Sequence, residues 1–259
     1  MTRPDLAAHL RAARDRGRKL LVPYITGGLG KDWVGTLEAV AAAGADAVEV
    51  GLPFSDPMMD GPIIQRASLA ALRDGATAQG IIDGIAKADL GVPVAVMTYY
   101  NVVARAGHRR MASGLAEAAI TGAIVPDLPV DEIDDWAVEA DRAGVSTVLL
   151  AAPTTTDARL QQICARARGF LYAVGLMGVT GERNELARSA ATIAGRCKSA
   201  TDLPVLVGVG ISTPSQAADV SQVADGVVVG SALVHRILDS CGPQGAADFI
   251  GQFRQALDG

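Results

Sequence analysis

Two carboxylates stand in a stretch that otherwise has the character of a buried strand followed by a loop. Residues 48–62 read VEVGLPFSDPMMDGP, with Glu49 inside the apolar run and Asp60 at the far end of a loop rich in proline and glycine. Removing a carboxylate from water raises its pKa unless the charge is paired, and a raised pKa suits a group that both donates and accepts a proton. The stretch therefore indicates general acid–base catalysis.

Each acid also has a purely structural interpretation. Glu49 could instead be hydrogen-bonded to a polar group on a neighbouring strand, with Tyr24, Thr26 and Tyr99 as the partners that the sequence offers. Asp60 precedes a Gly-Pro pair, and aspartates in such loops commonly form turns or cap helices. The residues by themselves leave both interpretations open.

The other residues that could carry chemistry narrow the reaction class. None of the four lysines falls at the C-terminal end of a predicted strand, where a Schiff base would form: Lys19, Lys31, Lys87 and Lys198. The histidines are too dispersed to predict a metal site: His9, His108 and His235. The sequence shows no dinucleotide fingerprint either. Proton transfer by carboxylates, assisted by a tyrosine, is the chemistry that remains.

Eight short apolar runs, separated by segments with helical periodicity, are expected to position these residues. They span residues 20–26, 46–51, 92–100, 122–127, 146–153, 170–176, 204–210 and 226–231. Eight strands alternating with helices over about 250 residues predict an α/β fold, a single (β/α)8 TIM barrel. We expect one domain over residues 1–259, with an extra helix at 6–16 closing the N-terminal end of the barrel; a doubly wound open sheet is the alternative. Strand alternation places Glu49 on the face that lines the lumen.

Glycine-rich segments follow the last three predicted strands. MGVTGER (177–183) follows the sixth, GVGI (208–211) ends the seventh, and VGSAL (229–233) ends the eighth and opens a helix. Barrels bind phosphate at this place through backbone N–H groups and a helix N-terminus, and glycine lets the main chain approach the phosphate oxygens. A phosphorylated substrate is predicted, with glycines that serve only as tight turns as the alternative. Ser231 could cap the helix, bind phosphate, or do both.

Composition excludes several classes of protein. The net charge is −5 with no cluster of basic residues, which argues against binding to nucleic acid. Three cysteines, distant from one another and odd in number, predict neither a disulfide framework nor a zinc site, and they favour a reducing compartment. No stretch approaches the roughly 20 apolar residues that cross a bilayer, and no N-terminal signal core is present. We expect a cytoplasmic protein that does not bind membranes.

The motifs together resemble the tryptophan synthase alpha chain family. The resemblance rests on EVGLPFSDPMMDGPIIQRA, MTYYN, PDLPVDE, GVTGER, GVGIS and VVVGSALV, in the family's order over nearly the whole chain. It implies a lyase of L-tryptophan biosynthesis that cleaves indole-3-glycerol phosphate to indole and glyceraldehyde 3-phosphate. Glu49 matches the family's acid/base, Asp60 its partner for the indole nitrogen, and Asp127 a position behind the site. The matching substrate-binding positions are Tyr99, Tyr172, Thr180, Gly181, Gly210, Gly230 and Ser231.

The resemblance also implies a partner. No metal or cofactor is expected in this chain; pyridoxal phosphate is expected in a beta chain that receives indole within an alpha2beta2 heterotetramer. The loop at residues 54–59 is the surface expected near that partner, where two exposed methionines suit an adaptable contact and buried packing is the alternative.

Two loops depart from the family pattern. TGGLGKDW follows the first strand where many members have a shorter turn, and residues 175–177 stand where some members have a serine and an arginine. The long loops after strands 2 and 6 are candidate lids. Two other functions remain open: a related phosphate-binding barrel that acts as an isomerase or lyase, and a largely non-catalytic activator of the beta chain.

Overall fold

Eight parallel strands form a closed barrel in the computed structural model, which describes residues 3–175, 183–208 and 210–259. The strands pair in chain order, and the eighth closes the barrel by pairing with the first. This confirms the predicted (β/α)8 barrel, and the open sheet was wrong. The strands are β1 (Leu20–Thr26), β2 (Val48–Gly51), β3 (Val94–Met97), β4 (Gly122–Ile124), β5 (Ser146–Ala151), β6 (Leu171–Ala173), β7 (Val205–Val207) and β8 (Gly226–Val229).

The described residues also form twelve α-helices and one short 3₁₀ helix, Val130–Glu132. None of these helices is long and apolar enough to cross a bilayer. The α-helices are α1 (Leu6–Asp15), α2 (Trp33–Ala42), α3 (Pro62–Arg73), α4 (Ala78–Lys87), α5 (Tyr100–Ala106), α6 (His108–Glu117), α7 (Asp134–Ala143), α8 (Asp157–Arg166), α9 (Arg183–Ala200), α10 (Pro214–Val220), α11 (Ser231–Leu238) and α12 (Gly242–Asp258).

The strands bury side chains on both faces, which explains their nearly continuous apolar sequences. Outward-facing side chains pack against the surrounding helices and form the larger core. Inward-facing side chains fill the lower part of the lumen, and they include Val22, Ala47, Ile124, Phe170 and Leu206. The lumen is therefore a packed apolar interior below the level of Glu49.

Helix α1 closes the N-terminal end of the barrel. Asp5 caps it by accepting a hydrogen bond from the backbone N–H of Ala8 at 2.7 Å. Its apolar side chains, Leu6, Leu10 and Ala13, belong to the same core as the side chains that fill the lumen. The expected extra helix is confirmed, one residue shorter than the predicted 6–16.

A buried charge cluster lies at the same end. Asp46 accepts hydrogen bonds from the backbone N–H of Leu21 at 2.9 Å, from Arg18 at 2.6 Å and from Arg254 at 3.3 Å. Arg254 also donates to the carbonyl oxygen of Lys19 at 2.9 Å. Asp46 thus links α12 to the start of β1, far from the strand ends where barrel enzymes carry their chemistry.

Candidate active site

Glu49 projects into the lumen from β2. It lies in register with Tyr24 of β1 and Ala95 of β3, and only 1% of its surface is exposed. Below it are the apolar side chains that fill the lumen. The predicted lumen-facing position is confirmed.

The carboxyl group of Glu49 has no hydrogen-bond partner on either oxygen in the described part of the chain. The alternative in which Tyr24, Thr26 or Tyr99 holds it is therefore not observed. Burial, assisted by the nearby charge of Asp60, raises the pKa of Glu49 to about 8. A carboxyl group with this pKa carries its proton at neutral pH, so it can act as a general acid and then take a proton back.

Asp60 reaches the same cavity from the loop between β2 and α3. Its backbone N–H closes a turn onto the carbonyl oxygen of Pro57 at 3.2 Å, while the N-cap of α3 is Gly61, so the residue forms a turn but caps no helix. Its side chain accepts a hydrogen bond from the hydroxyl of Tyr99 at 3.2 Å. Burial raises the pKa of Asp60, and the Tyr99 hydroxyl opposes that shift.

Tyr99 fixes the loop that carries Asp60. Its hydroxyl also accepts a hydrogen bond from the backbone N–H of Met59 at 3.0 Å, and its ring stacks on Phe54 with centroids 5.2 Å apart. The next residue, Tyr100, begins α5, and its backbone N–H donates to Asp127 at 2.8 Å. Asp127 therefore holds the segment that positions Tyr99, in keeping with a place behind the site.

Two tyrosines on strands complete the polar surface. Tyr172 on β6 lines the cavity and is 8% exposed, and burial raises its pKa well above the usual value, with the charge of Glu49 adding to the shift. Its ring occupies the space where a side chain at Gly208 would begin, so glycine at that position makes room for it. Tyr24 on β1 likewise occupies the space where a side chain at Gly51 would begin. From the sequence, Tyr24 is predicted only as a possible hydrogen-bond partner of Glu49, although side-chain alternation along β1 places it in the lumen.

The cavity that these residues share has a volume of about 460 Å³. Its remaining walls are largely apolar, with Ile64, Met97, Leu150, Val174 and Val228. A larger groove of about 940 Å³ lies on the outer helical layer. Its walls come from helices and from the loop residue Phe54, and none of the predicted site residues lines it. The smaller cavity combines apolar walls with a few converging polar groups, as small-molecule sites do.

One end of the cavity is built from glycines and the start of α11. Gly210 has a φ of +80°, which favours glycine, and Gly230 is the N-cap of α11. Ser231 is the first helical residue, so the N-cap position itself belongs to Gly230. These three residues line the cavity together with Gly208. The N-terminus of α11, with glycine backbone beside it, gives this end the features of an anion site.

Two predicted site residues, Thr180 and Gly181, lie outside the described residues. The same holds for residues 176–177 of the altered loop after β6. In the other altered loop, Asp32 caps α2 by accepting a hydrogen bond from the backbone N–H of Gly35 at 3.2 Å. That aspartate has a structural role.

The remaining titratable residues show no second catalytic cluster in the described residues. No group of three or more histidine, cysteine, aspartate or glutamate residues there could hold a metal ion. Lys198 pairs with Asp225 at 2.5 Å, near the start of β8 and away from the cavity. His108 contacts the hydroxyl of Tyr100 at 3.1 Å.

Comparison with known proteins gives a consistent result. A family model described as tryptophan synthase alpha chain matches residues 10–250. The chain is 46% identical over 254 residues to the tryptophan synthase alpha chain of Streptomyces coelicolor, covering 96% of this chain and 93% of that one. It is 40% identical over 258 residues to the corresponding chain of Thermobifida fusca, covering 97% and 96%.

Solved structures extend the likeness to three dimensions. Tryptophan synthase subunit alpha from Legionella pneumophila superimposes with a TM-score of 0.88 at 33% identity, covering 98% of both chains. A structure of tryptophan synthase from M. tuberculosis gives a TM-score of 0.87 at 35% identity, covering 97% of both chains.

Proposed function

Because the chain belongs to the tryptophan synthase alpha chain family, we propose that Glu49 and Asp60 carry out the family's reaction, the aldol cleavage of indole-3-glycerol phosphate. The products are indole and glyceraldehyde 3-phosphate, and the enzyme is a carbon–carbon lyase of L-tryptophan biosynthesis. One observation carries the assignment of roles: Glu49 is a buried acid with a pKa of about 8, neither of its oxygens is paired among the described residues, and it shares a cavity with Asp60.

The reaction needs two proton transfers near the bond that breaks: one to C3 of the indole ring and one from the side-chain hydroxyl. The indole ring is a poor leaving group as a carbanion, so its C3 atom must be protonated before the bond to the glycerol phosphate side chain breaks. Glu49 donates that proton. The resulting Glu49 carboxylate then takes the proton of the side-chain hydroxyl, the carbon–carbon bond cleaves, and the aldehyde forms. Glu49 ends the cycle protonated, so that no other acid or base is consumed.

Asp60 acts on the other side of the ring. When C3 is protonated, positive charge develops on the ring nitrogen, and a fixed carboxylate beside the N–H stabilises it. Tyr99 supports this role because its hydroxyl donates to Asp60 and so favours the ionised form. The apolar walls and Tyr172 then hold the ring itself.

The phosphate of the substrate belongs at the glycine-rich end. Gly210, Gly230 and Ser231 line that end of the cavity, where the N-terminus of α11 favours an anion. The family resemblance adds Thr180 and Gly181 to this set. These contacts hold the phosphate while the ring lies between the two carboxyl groups.

The alpha chain of this family carries no cofactor and works in an alpha2beta2 complex with a beta chain that holds pyridoxal phosphate. We propose that the loop at 54–59 faces the beta chain. Met58 and Met59 in that loop are 89% and 60% exposed, which supports a contact with a partner over the buried-packing alternative. Flexible exposed methionines adapt to a partner surface.

We also propose that residues 1–259 act as one domain in the cytoplasm. The pairing of β1 with β8 and the packing of α12 on α2 support a single unit, and the three free cysteines suit a reducing compartment. A single unfolding transition, seen at the same urea concentration by fluorescence and by circular dichroism, is the expected result.

The proposed roles are tested by following indole release from indole-3-glycerol phosphate, with and without a beta chain. Glu49→Gln should lose at least about 100-fold in kcat, a typical contribution of a general acid–base group. Asp60→Asn should lose activity as well, while Glu117→Gln, an exposed glutamate on α6, should match the wild type.

Three outcomes separate the possibilities. If Glu49→Gln and Asp60→Asn both stay within a few-fold of wild type, the lyase stands and the residue roles are refuted. Absence of indole under both conditions would refute the lyase. Stimulation of the beta chain without any indole release would favour the non-catalytic activator, which the family match does not support.

A further inference from the structure

Tyr24 has a place in the site that the proposed reaction does not yet use. It lies on β1 in register with Glu49 on β2, and both side chains point into the lumen. The phenol extends toward the C-terminal end of β2, because its hydroxyl and ring fill the space beside Gly51 where a Cβ atom would stand. Gly51 is two residues beyond Glu49 on the same face of the strand, so the hydroxyl lies on the cavity side of the acid.

The surroundings leave few donors for Glu49. The side chains below it are apolar. The ionisable groups that face it from the packed elements are Tyr24 of β1, Asp60 of the β2–α3 loop and Tyr172 of β6, with Tyr99 behind Asp60. The Tyr99 hydroxyl is already engaged with Asp60 and the backbone of Met59. Tyr24 comes from the adjacent strand, whereas Tyr172 comes from across the barrel.

Burial raises the pKa of Tyr24 far above its usual value; a contact with the side chain of Thr26 opposes the rise, and the charges of Asp60 and Glu49 add to it. Its hydroxyl therefore keeps its proton throughout the pH range in which the enzyme works, and it faces both carboxyl groups. A neutral hydroxyl at this place can donate a hydrogen bond to a carboxylate, but it cannot replace Glu49 as the acid.

We propose that Tyr24 is a positioning residue for the acid–base step: its hydroxyl donates a hydrogen bond to the Glu49 carboxylate that exists after Glu49 has given its proton to the substrate. The inference rests on the proposed function of Glu49. A carboxylate formed in a dry, apolar lumen is costly without a donor, and a hydrogen bond that strengthens as this charge develops lowers the barrier. Tyr24 would thereby favour proton donation and also hold the carboxylate in place for the return proton.

The test compares Tyr24→Phe with the wild type in the complex with the beta chain, by measuring kcat and KM for indole release over a range of pH. Phenylalanine keeps the ring beside Gly51 and removes only the oxygen. We expect kcat to fall about 10-fold with KM nearly unchanged, near the lower end of the contribution of a hydrogen bond to a charged group. Tyr100→Phe is the matched control, because Tyr100 lies outside the cavity and contacts His108.

The pH profile distinguishes positioning from simple packing. Activity requires protonated Glu49, so the alkaline limb reports its pKa. Loss of a donor to the carboxylate raises that pKa, and we expect the limb to move up by about one unit in Tyr24→Phe. The acid limb, which reports Asp60, should move less because Tyr99 still donates to it. An alkaline limb that stays in place, moves down, or moves equally in Tyr100→Phe would overturn the proposal.

A second measurement does not depend on turnover. Carbon-13 NMR of the glutamate carboxyl carbons, with Glu49→Gln used to assign the Glu49 signal, gives its pKa in the full chain directly. A higher pKa in Tyr24→Phe supports the contact even if Glu49 proves not to be the catalytic acid, and an unchanged pKa refutes it. Loss of activity in Glu49→Gln, by contrast, tests the proposed function alone.

Discussion

Glu49 should lower the stability of the fold as the pH rises, and the size of the effect follows from its burial. Its pKa is about 8 in the folded chain against an ordinary value of 4.5. The folded state therefore binds a proton that the unfolded state has already released between these two values. Stability rises with pH only where the unfolded state binds more protons, so here the free energy of unfolding falls as the pH rises.

The magnitude can be estimated from linkage. Each pH unit between the two pKa values removes about 1.4 kcal/mol, and the change between about pH 5 and pH 8 amounts to about 3 to 4 kcal/mol. Glu49→Gln removes the titrating group and the cost of its charge. The variant should therefore gain stability relative to wild type as the pH rises, and the difference should level off above the folded pKa.

The measurement is urea unfolding of wild type and Glu49→Gln at several pH values, with the difference in the free energy of unfolding plotted against pH. Taking the difference cancels the titrating groups that do not interact with Glu49. Glu117→Gln, which changes an exposed glutamate on α6, should give a flat plot. A flat plot for Glu49→Gln as well would mean that Glu49 has an ordinary pKa and that burial does not prepare it as a general acid.

Three further substitutions test the support around the site. Tyr99→Phe should raise the pKa of Asp60, because its hydroxyl no longer donates to that carboxylate, and the acid limb of kcat/KM should move up by about half a unit. Gly51→Ala should destabilise the fold by about 1–3 kcal/mol in urea unfolding, because the added methyl group overlaps the Tyr24 ring. Asp46→Asn should cost about 3 kcal/mol of stability with kcat unchanged, because two arginines at the closed end of the barrel lose their shared anion.

Each of these results could contradict its reasoning. An unmoved acid limb in Tyr99→Phe would mean that the observed hydrogen bond does not control Asp60. Wild-type stability of Gly51→Ala would show that Tyr24 shifts without cost. A fall in kcat for Asp46→Asn that exceeds its loss of stability would connect the far end of the barrel to the chemistry.

The barrel itself was predictable because its signal is periodic and repeated. Eight apolar runs alternate with helical segments, and inward alternation along β2 gave the correct face for Glu49. Strand ends were less predictable. The run at 92–100 continues past the end of β3 at Met97 because Tyr99 leaves the sheet, precedes the first residue of α5 and packs against the loop that carries Asp60. A residue that packs over a site is as apolar in sequence as one inside a strand.

The site was predictable only in part, because some of its residues depend on contacts with residues that are distant in the sequence. Glu49 is recognisable locally, since an acid inside an apolar strand is costly wherever it lies. Asp60 forms a turn through its backbone, as its local sequence predicts. Its side chain contacts Tyr99, 39 residues away, and the local sequence carries no signal for that contact. The proposed role of Tyr24 depends on the space that Gly51 leaves for its ring on the next strand. That contact follows from the register between β1 and β2, which the sequence of either strand alone does not reveal.

Helix α1 and the acid lie at opposite levels of the same lumen. Leu6, Leu10 and Ala13 seal the barrel from below, and the apolar side chains above them reach up to Glu49. The surroundings of Glu49 are thus a continuous apolar core whose lower end is helix α1. Water admitted past α1 would hydrate the carboxylate from beneath and return its pKa toward an ordinary value. The N-terminal helix therefore sets the acidity of a group that it never touches.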